Sequence, residues 1–316
     1  MWGDSERVLK NLNLRIPMTR FVAPAVLALA ATAGLIAQER WPDESTAQEG
    51  PLAQFSSQVQ LVEVYATVTD AKGEPVTGLT REDFQIYENN QIQDVSTFAA
   101  GEFPLTVALG IDRSWSMAGD KLRLAKQASQ SFLRALKPGD RSMVVAINND
   151  AEVVAPLTMD RLNQGRAIEA LDPWSTTALH DAIMATLDRL APEPGRQALV
   201  IFSDGTDRYS KASAAQVVER ARRSNALIYL IAFGRERSPL LAELAVVTGG
   251  RSFLLRDVRD LDKTLADVAR ELRYQYLLGY TPTDPIDANH PEWRSIRVVL
   301  KKPGVKVRAR DGYTTN

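Results

Sequence analysis

The chain contains no cysteine. Disulfides, thiolate metal sites, a thiol nucleophile and a lipidated N-terminal cysteine are therefore excluded. Histidine is scarce as well: His180 and His290 are the only two, which rules out most histidine-rich metal sites. Neither sign of charge is in excess, with 38 Lys+Arg against 39 Asp+Glu in 316 residues. Bulk electrostatic binding of nucleic acid is not expected, although a local basic patch is compatible with this balance. G-x-S-x-G, H-E-x-x-H, the P-loop and G-x-G-x-x-G are all missing. A Ser/His/Asp triad would have to recruit one of the two histidines, and neither lies in a supporting motif.

One long apolar run is present, and it lies near the start. Arg7, Lys10, Arg15 and Arg20 precede the uncharged "FVAPAVLALAATAGLIA", Phe21 to Ala37, which includes the small-x-small triplets "ALA" and "ATA". A basic flank, an apolar segment and small residues suited to cleavage are the layout of an export signal, with Met18 as an alternative start. The other reading is a retained anchor, for which the run is slightly short of the roughly 20 residues that span a bilayer. Either way the basic flank orients the remainder outward. The expectation is a protein that is periplasmic, on the cell surface or secreted, with residues 1–37 as signal peptide or membrane anchor. Residues 38–57, polar and carrying two prolines, read as a linker.

Beyond the linker the patterning changes twice. Val62, Val64, Ala66 and Val68 alternate with Glu63, Tyr65, Thr67 and Thr69, the period of a half-buried strand. "FQIYENNQIQDVSTF" then reads as a hairpin turning at Asn89 and Asn90. From Leu105 strands alternate with helices. Leu105 to Asp112, Ser142 to Asn148, Ala198 to Asp204, Ala226 to Gly234 and Arg251 to Leu255 are the strand candidates. Unbroken runs such as "ALIYLIAF" suit strands buried on both faces of a largely parallel sheet. "AINNDAEVVAPLT" joins two strands through too few residues for a parallel crossover, so that pair is an antiparallel hairpin at the sheet edge. One helix carries Leu122, Ala125, Phe132, Leu133 and Leu136 and stops at "KPGD"; Ser238-Pro239 reads as the N-cap and first residue of another. After a helix with Leu261, Leu265, Val268, Ala269 and Leu272 on one face, β patterning returns.

Neither terminal β block can bury a good core alone, since roughly 40–50 residues is marginal. The expected fold is an α/β doubly wound, mostly parallel sheet with one antiparallel edge strand, inserted in a small β-sandwich made by the flanking strands. The corresponding domains are 58–102 for the first part of the sandwich, 103–274 for the α/β domain and 275–316 for the second part.

In doubly wound sheets ligands sit beyond the carboxyl ends of the strands, where the strand order reverses. Asp112 ends one strand and Asp204 another. If the two meet at the reversal, they repel unless a cation or a shared proton relieves them. Ser114 and Ser116 add neutral oxygens from the loop after Asp112, and Thr177 adds a third hydroxyl from another loop. An all-oxygen set of low charge suits a hard cation, Mg²⁺ first and Mn²⁺ or Ca²⁺ otherwise. Such a set leaves a coordination position for an acidic side chain from a partner.

At these residues the chain resembles von Willebrand factor type A domains. The pattern D-x-S-x-S, then T, then D of their metal-ion-dependent adhesion site is matched by Asp112, Ser114, Ser116, Thr177 and Asp204. The resemblance implies that the serines and the threonine contact the metal directly, and that the aspartates often act through water. The flanking stretches "VTGLTREDFQIYENN", "YLLGYTP" and "VKVRARDGY" resemble a bacterial subfamily of related proteins first delineated in acidobacteria, so that the likeness runs from about Val59 onward. Family members commonly carry glycine where Trp115 and Thr176 stand, and both residues restrict backbone freedom relative to glycine.

Other residues near the motif have plainer readings. Trp115 is either a recognition contact on the metal's rim or a cover folded over its loop. Trp174 is expected to pack in the loop or core, and His180 to stand behind the site or in solvent. Asp181 is expected to be a solvated charge and Asp207 a turn residue. Arg220 to Arg223 read as the polar face of a helix. The expected function is an exported adhesion-type module that binds an acidic residue of a partner protein through a divalent cation. The alternatives are a structural envelope protein whose metal rigidifies its loops and a metal-assisted hydrolase. No extra base stands out for the latter.

Overall fold

Two kinds of apolar patterning produce two kinds of sheet. The computed structural model describes residues 60–101, 103–233, 238–255, 260–287 and 289–315. The expected signal peptide or anchor, 1–37, and the expected linker, 38–57, lie outside the described residues. Among the described residues no helix is long and apolar enough to cross a membrane.

The alternating N-terminal block forms β1 (Val62–Thr69), β2 (Phe84–Glu88), β3 (Gln91–Gln93) and β4 (Val95–Gly101). Asn89 and Asn90 make the β2–β3 turn with φ of 46° and 66°. Asparagine tolerates this left-handed region better than most residues, which is why the pair reverses the chain there.

The strand–helix region contributes β5 (Leu105–Asp112), α1 (Asp120–Ala135), β6 (Arg141–Ile147), β7 (Ala151–Thr158), α2 (Arg161–Glu169) and α3 (Leu179–Leu190). It continues with β8 (Arg196–Ser203), α4 (Ala214–Arg222), β9 (Ala226–Phe233), α5 (Pro239–Thr248), β10 (Arg251–Leu255) and α6 (Leu261–Arg273). The sheet order is β10-β9-β8-β5-β6-β7. All pairings are parallel except β6 with β7, so the antiparallel edge strand stands where the short connection placed it. Successive strand residues feed opposite cores. Leu109, Ile111, Val200 and Phe202 pack under α1 and α6, while Ala108, Leu199 and Ile201 pack under α3, α4 and α5. The strands β5, β8 and β9 are buried along their whole length, and this two-sided burial is what their unbroken apolar runs record. Helix α5 starts with Ser238 at its N-cap and Pro239 in its first turn, but the Ser238 side chain makes no capping hydrogen bond.

The chain leaves β5 toward β6 and β7 on one side, then returns to the other side of β5 with β8. The order therefore reverses between β5 and β8. In doubly wound sheets that is the position of the ligand crevice at the strands' carboxyl ends.

The C-terminal block supplies β11 (Gln275–Tyr280), β12 (Trp293–Leu300), β13 (Lys306–Arg308) and β14 (Gly312–Thr314). They join the N-terminal strands in two four-stranded antiparallel sheets, β13-β1-β11-β4 and β14-β12-β2-β3. One apolar core lies between them, with Val64, Ile86, Leu278, Tyr280 and Val298 among its members. Buried polar groups tie these sheets together. Glu88 accepts hydrogen bonds from Arg294 (3.0 Å), Tyr280 (2.6 Å) and Tyr313 (2.9 Å), joining β2, β12, β11 and β14. A second buried carboxylate, Glu271 on α6, receives Arg251 of β10 and Arg308 of β13, linking the α/β layer to a flanking sheet. The run Arg220 to Arg223 is ion-paired rather than simply solvated: Arg220 meets Asp188, Arg222 meets Asp311 and Arg223 meets Glu219.

Candidate metal centre

Strand β5 delivers Asp112 to the crevice with no solvent-exposed surface. One carboxylate oxygen, Oδ1, accepts the backbone N–H of Ser114 at 2.9 Å. The other, Oδ2, accepts the hydroxyl of Ser203, the last residue of β8, at 2.7 Å. Ser114 is buried as well, and its Oγ lies 3.1 Å from Ser116 Oγ. A short 3-10 turn, Trp115–Met117, sets this spacing, and its Met117 is fully buried beneath the loop. Asp204 follows β8 directly. Its Oδ2 accepts from Lys121 Nζ at 2.9 Å and its Oδ1 from the Thr206 N–H at 3.2 Å.

The two carboxylates differ in their electrostatics. Burial pushes the Asp112 carboxyl above its ordinary value; hydrogen bonds from Ser203 and Ser114 oppose this, and the charge of Asp204 adds to it. Burial also acts on Asp204, but hydrogen bonds from Lys121 and Ser116, with the Lys121 charge, outweigh it and hold that carboxyl below the ordinary value. Asp112 is thus a buried carboxylate with no cation of its own among these contacts.

Thr177 stands on a separate loop, and among the described residues none of its hydrogen bonds is with Asp112, Ser114, Ser116 or Asp204. It is buried, and its carbonyl accepts the N–H groups of Arg208 and Tyr209 at 3.0 and 3.2 Å. The loop before it is stitched to the Asp112 loop by Trp115 N–H to Ser175 O (3.1 Å) and Trp174 N–H to Arg113 O (2.7 Å). The structure therefore gathers Asp112, Ser114, Ser116 and Asp204 into one hydrogen-bonded cluster and brings the Thr177 loop beside it.

Several neighbours differ from their sequence readings. Trp174 is 59% exposed rather than packed, and Trp115 at 65% does not fold over its loop. Tyr209, on the third loop, is 66% exposed, so an aromatic side chain stands out from each loop around the crevice. Asp207 does more than shape a turn: its Oδ1 accepts from the Leu179 and His180 N–H groups at the start of α3 and from the Ser210 hydroxyl. Asp181 is likewise no free charge, since its two oxygens accept the N–H groups of Lys211 and Ala212. His180 Nδ1 donates to the Ala212 carbonyl at 2.9 Å and so holds the same loop. Neither Trp115 nor Thr176 has a positive φ; the left-handed residue here is Ser175, at 61°. The glycines common at those two family positions are thus not required by this backbone.

Sequence reasoning missed Lys121 and Ser203. A lysine in the first turn of a helix carries no local mark of its partner. Ser203, by contrast, stands next to Asp204 in "FSDG", and strand alternation could have aimed it at Asp112.

Chemically the crevice offers two carboxylates and neutral hydroxyls. Among the described residues no group of three or more His, Cys, Asp or Glu side chains could hold a metal, so any ion here depends on the hydroxyls. All-oxygen donors around a buried, uncompensated carboxylate fit a hard divalent cation.

The pattern of the von Willebrand factor type A domain matches residues 107–267, half of the chain. The chain belongs to this family, which includes metal-dependent protein-interaction modules, and whose domains often bind a divalent metal. Human calcium-activated chloride channel regulator 4 is 26% identical over 160 residues, covering 48% of this chain and 17% of that protein. A UPF0353 protein of Mycobacterium leprae is 24% identical over 209 residues, covering 55% of this chain and 62% of its own length. The chain thus spans under two thirds of each of these relatives. A solved von Willebrand factor type A structure from Catenulispora acidiphila superposes with a TM-score of 0.49 at 16% identity, covering 83% of this chain and 75% of that one.

Proposed function

We propose that this chain is an exported, adhesion-type module that binds a partner protein through a divalent cation. Ser114, Ser116 and Thr177 hold the ion, Mg²⁺ or else Mn²⁺ or Ca²⁺, and Asp112 and Asp204 accept from its water shell. The ion supplies a Lewis-acidic position that an Asp or Glu of the partner completes. Supporting this reading above all is the Asp112–Ser114–Ser116–Asp204 cluster at the strand-order reversal, with a fully buried carboxylate at its base. Trp115 meets the partner beside the acidic contact, and Trp174 and Tyr209 extend that rim; exposed aromatics of this kind anchor interfaces.

In this reading residues 103–274 form the binding domain. Residues 58–102 and 275–316 together make the β-sandwich that carries it, as a stalk or second contact surface. Residues 1–37 direct or anchor the chain outside the cytoplasm. The module is not an enzyme. The rival reading, an envelope protein whose metal only rigidifies loops, separates from this one by its indifference to chelation.

Affinity capture from an envelope extract, in Mg²⁺ and in EDTA, tests the proposal. A partner retained in Mg²⁺, released by EDTA and lost with Asp112→Ala is the expected result. A partner held equally well in EDTA refutes it. Turnover of a generic phosphoester that vanishes in Asp112→Ala would favour a metal-assisted hydrolase instead.

A further inference from the structure

The centre already holds one cation of its own. Lys121 stands in the first turn of α1, and its ammonium reaches the loop after β8. It donates to Asp204 Oδ2 at 2.9 Å and to the backbone carbonyl of Ser116 at 3.0 Å. Both acceptors belong to residues of the proposed ligand set. The pairing is lopsided in solvent exposure: the Asp204 side chain is 8% exposed and that of Lys121 is 40% exposed. Asp204 is held in place by the crevice, whereas the lysine arrives on a flexible four-carbon stem from the solvent side. Its neighbour Asp120 is occupied by Arg123 at 2.9 Å, so Lys121 is turned toward the crevice and not toward its own helix.

An ammonium and a divalent cation compete for such a carboxylate, because both draw on its lone pairs and repel one another at this range. Lys121 can withdraw into water, where 40% of its side chain already lies, but on leaving it gives up its two charge-assisted contacts, and that loss weighs against the incoming ion. Asp204 cannot follow it.

We infer that Lys121 is a built-in counter-cation of this centre: its ammonium occupies Asp204 when the ion is absent, leaves when the ion enters, and so sets how tightly this chain holds a divalent metal. The inference rests on the metal site proposed above. It gives residue 121 a role in metal affinity that belongs to the lysine and not to the D-x-S-x-S pattern. The lysine offsets the charge of Asp204, while both oxygens of Asp112 are met by the Ser114 N–H and the Ser203 hydroxyl.

The test is titration of Mn²⁺ into the full chain, followed by calorimetry and by the electron paramagnetic resonance signal of free Mn²⁺. Wild type is compared with Lys121→Met and Lys121→Arg. Losing a charge-assisted competitor should tighten Mn²⁺ binding by about tenfold or more in Lys121→Met, whereas Lys121→Arg, which keeps the charge, should not tighten it. Lys121→Gln carries the same expectation as the methionine variant should that one fail to fold. Binding by Lys121→Met within about twofold of wild type, or weaker, overturns the role of Lys121 and leaves the metal site standing. Equal tightening in Lys121→Arg overturns it too, because charge is then not the cause. If neither wild type nor Lys121→Met takes up Mn²⁺, the metal site itself fails and the competition with it.

Discussion

Asparagine in place of Asp112 should separate the chemistry of the centre from the stability of the fold. Both oxygens of Asp112 are in use, one accepting the Ser114 N–H at 2.9 Å and the other the Ser203 hydroxyl at 2.7 Å. Asparagine keeps an oxygen for the Ser114 N–H. Its amide then faces Ser203 Oγ, whose hydroxyl can turn and accept, as it already does from the Gly205 N–H at 3.0 Å. Two oxygen–nitrogen contacts are kept, and the Ser203 hydroxyl proton loses its acceptor while a fully buried charge disappears. These two effects oppose each other, so the metal-free variant should match wild type to within about 1 kcal/mol or exceed it. Alanine, by contrast, strands both donors, and each orphaned donor costs about 1–3 kcal/mol.

Metal reverses the ranking. At a free Mg²⁺ concentration of about 100 times Kd, binding stabilises the native wild type by about 2.7 kcal/mol. At about 2.1 cal/mol/K per residue, that is a rise of about 4–5 °C in Tm for a chain of this size. The asparagine variant should show no such rise. Calorimetric or fluorescence melting of the three proteins, with Mg²⁺ and with EDTA, reads both effects. The reasoning is refuted if the asparagine variant is as unstable as the alanine variant in EDTA, or if Mg²⁺ raises its Tm as much as that of wild type.

Three further outcomes follow from the same contacts. Glu88→Ala leaves Arg294, whose side chain is 4% exposed, without its buried partner and should lower stability by about 3–5 kcal/mol in urea unfolding; adding Arg294→Met should recover part of this loss. The two aspartates should pull pH dependence in opposite directions. The raised carboxyl of Asp112 binds a proton more tightly in the folded state, so its contribution is full below the ordinary carboxylate pKa of about 3.9 and declines as pH rises through its folded value. The depressed carboxyl of Asp204 contributes above about pH 3.9 and loses that contribution as pH falls through its folded value. In EDTA, Asp112→Asn should therefore remove a loss of stability on the alkaline side, and Asp204→Asn should remove one on the acid side; urea midpoints across pH check both. Trp115→Gly should leave Mg²⁺ affinity within about twofold by calorimetry while weakening retention of the partner in the affinity capture, since a rim contact acts on the interface and not on the ion.

Much of the α/β layer was legible in the sequence because its cause is local. A strand covered on both faces must be apolar at every position, so β5, β8 and β9 appear as unbroken runs. A connection of a few residues cannot cross a sheet, so the antiparallel placement of β7 follows from its length alone. The β2–β3 turn was legible for a similar reason, since Asn89 and Asn90 tolerate the backbone such a turn demands. Asp112, Ser114 and Ser116 share one loop, and the 3-10 turn that spaces them is a property of that loop.

What stayed hidden was decided between segments. Lys121 and Asp204 are 83 residues apart, and nothing near either one announces the other. Glu88 meets Arg294 from the far end of the chain, and Asp181 and Asp207 became loop anchors only once the α3 start and the 204–213 loop lay side by side. Trp174 was expected to pack, yet its backbone is bound to the Asp112 loop while its ring stands in solvent. Hydrophobic periodicity and turn chemistry are written residue by residue, so the sequence by itself determined the layers, the antiparallel edge strand and the oxygen-rich loop. Which charge meets which carboxylate depends on distances across the fold. Only the tertiary structure decided that Asp112 is buried without a cation and that Asp204 already holds one.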